Sequence, residues 1–115
     1  MTILYTVKKL LGIDPLSEDF DIDLLIHINS VMTILNQMGI GPSSTVIIDK
    51  DTPWSIFTED KNYLEAVKSY MYMKVRMMFD PPTSGGAIDA CNNIIKELEW
   101  RLYSLENFKE DSNEQ

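Results

Sequence analysis

Residues 70–82 read YMYMKVRMMFDPP, and this stretch constrains the chain more than any other. At helical spacing its apolar and aromatic side chains point almost all round the axis, and only Lys74 and Arg76 interrupt them. A helix apolar on most of its circumference is either central in a core or covered by another molecule. A chain of 115 residues has a modest core. The expectation is therefore a helix covered by neighbours. The pattern stops at Asp80-Pro81-Pro82, because two prolines cannot continue a helix and the first turns the preceding residue away from α geometry. These three residues are expected to form a rigid structural corner.

Three further segments carry the helical period. Residues 2–11 place Ile3, Leu4, Val7, Leu10 and Leu11 on one side, with Gly12 as a stop. A second helix is expected from the Ser17 region, where Glu18, Asp19, Asp21 and Asp23 suit the positive end of a helix dipole. Its stripe is Phe20, Leu24, Ile28, Val31, Leu35 and Met38, with Ile22 and Ile26 on the opposite face, and Gly39 and Gly41-Pro42 end it. The third helix spans 60–79, with Leu64, Val67, Met71, Val75 and Met78 toward the core. Residues 83–86 read as a turn, and the fourth helix carries a seam of Ile88, Cys91, Ile95, Leu98, Leu102 and Leu105. Between the second and third helices, residues 40–59 are irregular. They hold a β-prone run at 45–48, with at most one short β-hairpin, and Thr52-Pro53-Trp54, an N-cap with proline at the first helical position. A connection this long is usually functional or mobile. The fold class is thus all-α: a small four-helix domain over 1–108, and from Lys109 a disordered acidic tail over 109–115.

Composition narrows the function. The net charge of −8 disfavours phosphate backbones and anionic membranes, which call for clustered Lys and Arg, so neither nucleic acid nor membrane is an expected partner. One cysteine, Cys91, makes no internal disulfide and no zinc site. No signal peptide and no membrane-length apolar run is visible, so a soluble protein of a reducing cytoplasm is expected.

The chemical candidates have plainer readings. His27 has no second ligand beside it and reads as structural. Asp19, Asp21 and Asp23 lack the glycine and distal glutamate of a calcium loop. Gly85-Gly86 lacks the lysine and spacing of a phosphate loop. No catalytic set, metal site or cofactor site is expected. Four of the seven methionines fall in 71–78, which fits either loose core filling or an adaptable binding surface. The candidate interface set is Trp54, Phe57, Tyr70, Met73, Arg76, Met77 and Trp100, with Trp100 packing on the Trp54 loop or on a neighbour.

The string from Tyr70 to Ser84, with Ile95-Lys96-Glu97-Leu98-Glu99-Trp100-Arg101-Leu102 and the upstream Asp51-Thr52-Pro53-Trp54-Ser55-Ile56-Phe57, resembles the small head–tail connector (head completion) proteins of tailed bacteriophages and prophages of Gram-positive hosts. The resemblance implies an all-α virion protein that assembles as a ring, commonly of about twelve subunits, and docks beneath the portal protein. It would continue the DNA channel toward a tail-side adaptor or stopper, after assembly in the host cytoplasm. The alternative left by the residues alone is a small acidic regulator or inhibitor that covers a basic site on another protein.

Overall fold

The computed structural model describes residues 1–42, 46–57 and 60–113, with side chains through Leu105. Four α-helices follow in order: α1 (Ile3–Leu10), α2 (Asp21–Gln37), α3 (Lys61–Phe79) and α4 (Gly85–Asn113), with a single 3-10 turn at Trp54–Ile56. No strand occurs among the described residues; the 45–48 run forms no hairpin in its described part, and the one isolated bridge joins Thr2 to Pro53.

Local chemistry sets the helix ends. Thr2 caps α1 by accepting from the Tyr5 amide at 3.2 Å, and Gly12 follows its C-terminus at φ +81°. The α2 C-terminus closes with paired bonds, Ile40 N–H to the Leu35 carbonyl at 2.9 Å and Gly39 N–H to the Asn36 carbonyl at 3.0 Å. That motif needs a left-handed residue at Gly39, whose φ is +81°, and it seats Ile40 in the core. Asp60 caps α3 through the amides of Asn62 and Tyr63. Asp80 leaves helical geometry at φ −149° and ψ 71°, consistent with the proline after it disfavouring α, and α3 ends there. The turn expected at 83–86 is shorter than the sequence suggests. Ser84 Oγ accepts from the Ala87 amide at 3.2 Å, so Gly85 and Gly86 already belong to the first turn of α4. The backbone of α4 continues to Asn113, through most of the segment expected to be a disordered tail; residues 114–115 lie outside the described residues.

α2 begins four residues after Ser17. The Lys8 amine is buried, with 3% of the residue exposed, and donates to the carbonyls of Pro15 (2.9 Å) and Ser17 while pairing with Asp21 Oδ1 at 2.8 Å. The carbonyls of Pro15 and Ser17 are turned toward Lys8, the stretch 14–20 makes turns, and α2 starts at Asp21.

α3 is the centre of the molecule. α2 and α4 each pack mainly on it, and α1 packs on both α2 and α3. Val67, Tyr70, Met71 and Val75 of α3 are fully buried against Leu24, Ile28, Val31 and Leu35 of α2 and Cys91, Ile95 and Leu102 of α4. The expected core stripes hold in their middles and shift at their ends: Phe20, Met78 and Leu105 are exposed, and Leu64 is half-buried. The larger correction concerns the all-round apolar helix. Three helices of the same chain touch α3, so Tyr70 and Met73 are covered without any other molecule.

Burial has a cost at Tyr70. Its hydroxyl is buried with no hydrogen-bond partner among the described residues. Burial, helped by the Glu99 carboxylate, pushes its ionisation up to about 12.

Two outcomes are expected. Lys8→Ala leaves Asp21 and two carbonyls without their cation and should lower urea-measured stability by about 2–4 kcal/mol. For Tyr70 the folded value lies above the unfolded value of 10, so its stabilising contribution is complete below pH 10 and is lost as pH rises toward about 12. Tyr70→Phe should abolish a late phenolate absorbance step near pH 12, and at neutral pH its stability should be unchanged or raised by up to about 1 kcal/mol.

Candidate interaction surface

The irregular connection is anchored at both ends of its described part. Asn29, on α2, behaves as a one-residue strand edge toward Ile48: its Oδ1 accepts from the Ile48 amide at 2.7 Å and its Nδ2 donates to the Ile48 carbonyl at 3.0 Å. Ile48 is thereby held in the core at 2% exposure. Beyond the Asp49–Thr52 turn, Ile3 N–H donates to the Thr52 carbonyl at 3.0 Å, and Trp54 Nε1 donates to Thr6 Oγ1 at 2.9 Å. The Lys68 amine sits 5.9 Å from the Trp54 ring centroid, and Phe57 packs 6.1 Å from the same residue. Gly41, at φ +100°, lets Phe57 and Met32 approach its backbone: a Cβ there would stand 3.3 Å from both side chains.

These contacts sort the candidate residues. Trp54, Tyr70 and Met73 are buried within the chain, and Phe57 is half-buried against Gly41 and Trp54. Arg76 is half-buried, with Nη1 3.5 Å from the Tyr72 hydroxyl. Met77 is half-buried and lines a cleft with Ile34, Met78 and Ile95. Trp100 stands apart at 68% exposed. It packs on neither the Trp54 loop nor the core; it borders a cleft of about 600 Å³ between α3 and α4 whose lining includes Asn62, Ala66, Arg101 and Leu105. At the corner, Asp80 and Pro81 are exposed and Pro82 is half-buried. Just before it, Phe79 meets the edges of Phe20 (5.4 Å) and half-buried His27 (6.4 Å), which gives His27 a packing contact. No group of three or more His, Cys, Asp or Glu is placed to hold a metal among the described residues.

The exposed apolar surface lies elsewhere than most of the candidate set. One face runs along the outside of α2 and the adjacent chain, with Ile22, Ile26 and Ile47 exposed at 77, 59 and 80%. It borders a cleft of about 620 Å³ lined also by Leu25, Val46 and Thr33. Another is the outer face of α4, with Trp100 and Tyr103, while Leu10, Leu16, Ile94 and the seam residue Leu105 are exposed elsewhere. The signal for the first face was present in the sequence as Ile22 and Ile26 opposite the core stripe of α2.

Exposed apolar residues clustered beside clefts, as at Ile22, Ile26 and Ile47, are a common feature of interaction surfaces. The family model for phage connector proteins matches residues 3–107, and the chain belongs to that family of structural proteins. Neither the curated proteins nor the solved structures compared with it gave a match.

The burial pattern separates two kinds of variant. Met73→Asp should destabilise the monomer by about 2–5 kcal/mol, close to Met71→Asp, because both place a charge in the core. Trp100→Asp should stay within about 0.5 kcal/mol of the parent, as expected for a surface site. Chemical denaturation of the three variants side by side checks this.

Proposed function

We propose that this protein is a head–tail connector that joins the DNA-filled capsid to the tail, docking as a ring beneath the portal and continuing the DNA channel. The observation that carries the reading is the phage connector family match over nearly the whole chain, 3–107. The structure adds support of a different kind: among its exposed apolar residues are a group on α2 and the adjacent chain (Ile22, Ile26, Ile47) and a pair on α4 (Trp100, Tyr103). A ring of about twelve copies would use such surfaces for contacts between neighbouring copies. The partners in this reading are further copies of the chain, the portal protein and a tail-side adaptor or stopper protein, and the place of action is the head–tail junction of the virion after assembly in the host cytoplasm. The role is structural and not enzymatic, and it uses no cofactor.

The charge fits a conduit. With Asp and Glu at 18 against Lys and Arg at 10, the surface repels phosphate, so DNA can pass without sticking. Affinity should come from many weak copies on a preformed ring. Purified protein should bind DNA-filled capsids that bear portal but lack this protein, and should restore their joining to tails. It should not bind free DNA at physiological salt. Tight DNA binding without capsid binding would overturn the reading.

A further inference from the structure

We propose that neighbouring copies of this chain meet through two unlike faces: the α2 face with Ile22, Ile26 and Ile47 on one copy, and the α4 face with Trp100 and Tyr103 on the next. This rests on the ring reading above and names the surfaces that would build the ring.

The first argument is placement. α2 and α4 each pack mainly on α3, and the cleft beside Ile22, Ile26 and Ile47 shares no lining residue with the cleft beside Trp100. A patch that pairs with a copy of itself makes a closed dimer; two different patches make a head-to-tail contact that repeats from copy to copy and closes into a ring if the rotation permits. The second argument is chemistry. One face is aliphatic, the other aromatic, and each borders a cleft of about 600 Å³ (600 beside Trp100, 620 beside Ile26). Aromatic anchors seated among aliphatic side chains are the usual centre of a protein interface. The third is charge. Exposed Asp19 and Asp23 lie beside Ile22 at the start of α2. Arg101, next to Trp100, is 60% exposed and held by Glu97 at 2.8 Å. Rim charges of opposite sign set register and exclude the wrong partner. Both halves of a complementary contact are therefore present on one chain, which makes a second copy the fitting occupant.

Ile26→Cys, Tyr103→Cys and the double variant would be treated with a short bismaleimide, both in concentrated solution and on portal-bearing capsids. Wild type, whose single Cys91 is buried, serves as the control. The double variant should give a ladder of dimers, trimers and higher species. The two single variants should give monomers alone and dimers only when mixed. Adding Asp23→Arg or Arg101→Asp to the double variant should abolish the ladder, and adding both should restore it. Dimers from either single variant by itself would overturn the proposal in favour of a self-paired face. Absence of a ladder where wild type still binds capsids would overturn this choice of faces and leave the ring reading standing. Absence of both the ladder and capsid binding would overturn the two together.

Discussion

Everything in this molecule follows from the need to cover α3. Val67, Tyr70, Met71 and Val75 are fully buried and Met73 nearly so, which one flanking helix cannot achieve. α2 and α4 cover two sides, and the third depends on α1, only eight residues long and too short to be helical by itself. It holds because both its ends are tied. At the N-terminal end, Thr2 bridges to Pro53, Ile3 bonds Thr52 and Thr6 accepts from Trp54. At the C-terminal end, buried Lys8 reaches Asp21 and the chain leading into α2. The irregular connection is thus part of the core's construction: Trp54 and Ile48 are buried, and Trp54 carries one end of α1.

The elements of this fold were readable because their signals are local. Gly12 and Gly39 stand where helices stop, and buried residues recur along all four stripes as spaced, but the start signals at Ser17 and Thr52 miss: α2 begins at Asp21 behind Phe20, and the 3-10 turn at Trp54 follows Pro53. What escaped is what two distant residues do together. Lys8 looks like a surface charge at a helix end, and nothing local says that Pro15, Ser17 and Asp21 will fold around it. Asn29 looks like a polar residue on α2, yet it takes both backbone bonds of Ile48, nineteen positions away. Tyr70 and Met73 read in the sequence as candidates for cover by the Trp54 loop or a neighbouring subunit, because a chain of 115 residues has a modest core; in the structure both are buried within the chain. A flat arrangement with a short fourth element over one face removes that limit, and periodicity within α3 does not reveal it.

The same arrangement explains where the exposed apolar residues went. A helix at the centre of a layer can be apolar all round, but a helix at its edge has one side toward α3 and one side open. On α2 the open side carries Ile22 and Ile26, and on α4 it carries Trp100 and Tyr103. Single exposed apolar residues need no explanation; clusters of them beside clefts do.

The corner at Asp80-Pro81-Pro82 matters for how those edges are presented. α3 has 19 residues and α4 has 29, so α4 is about 15 Å the longer at 1.5 Å per residue. A connection of only five residues, with two prolines and a non-helical Asp80, brings α4 back along α3. Asn62, at the start of α3, and Leu105, far along α4, consequently border the same cleft as Trp100. Loosening the corner would move the Trp100 face relative to α2 while leaving each helix intact. In the proposed assembly the angle between those two faces is what decides whether a repeating contact closes into a ring of a given size or runs on as a filament. The prolines that stop α3 would then act twice, as a local stop and as the part that holds the subunit-to-subunit rotation constant.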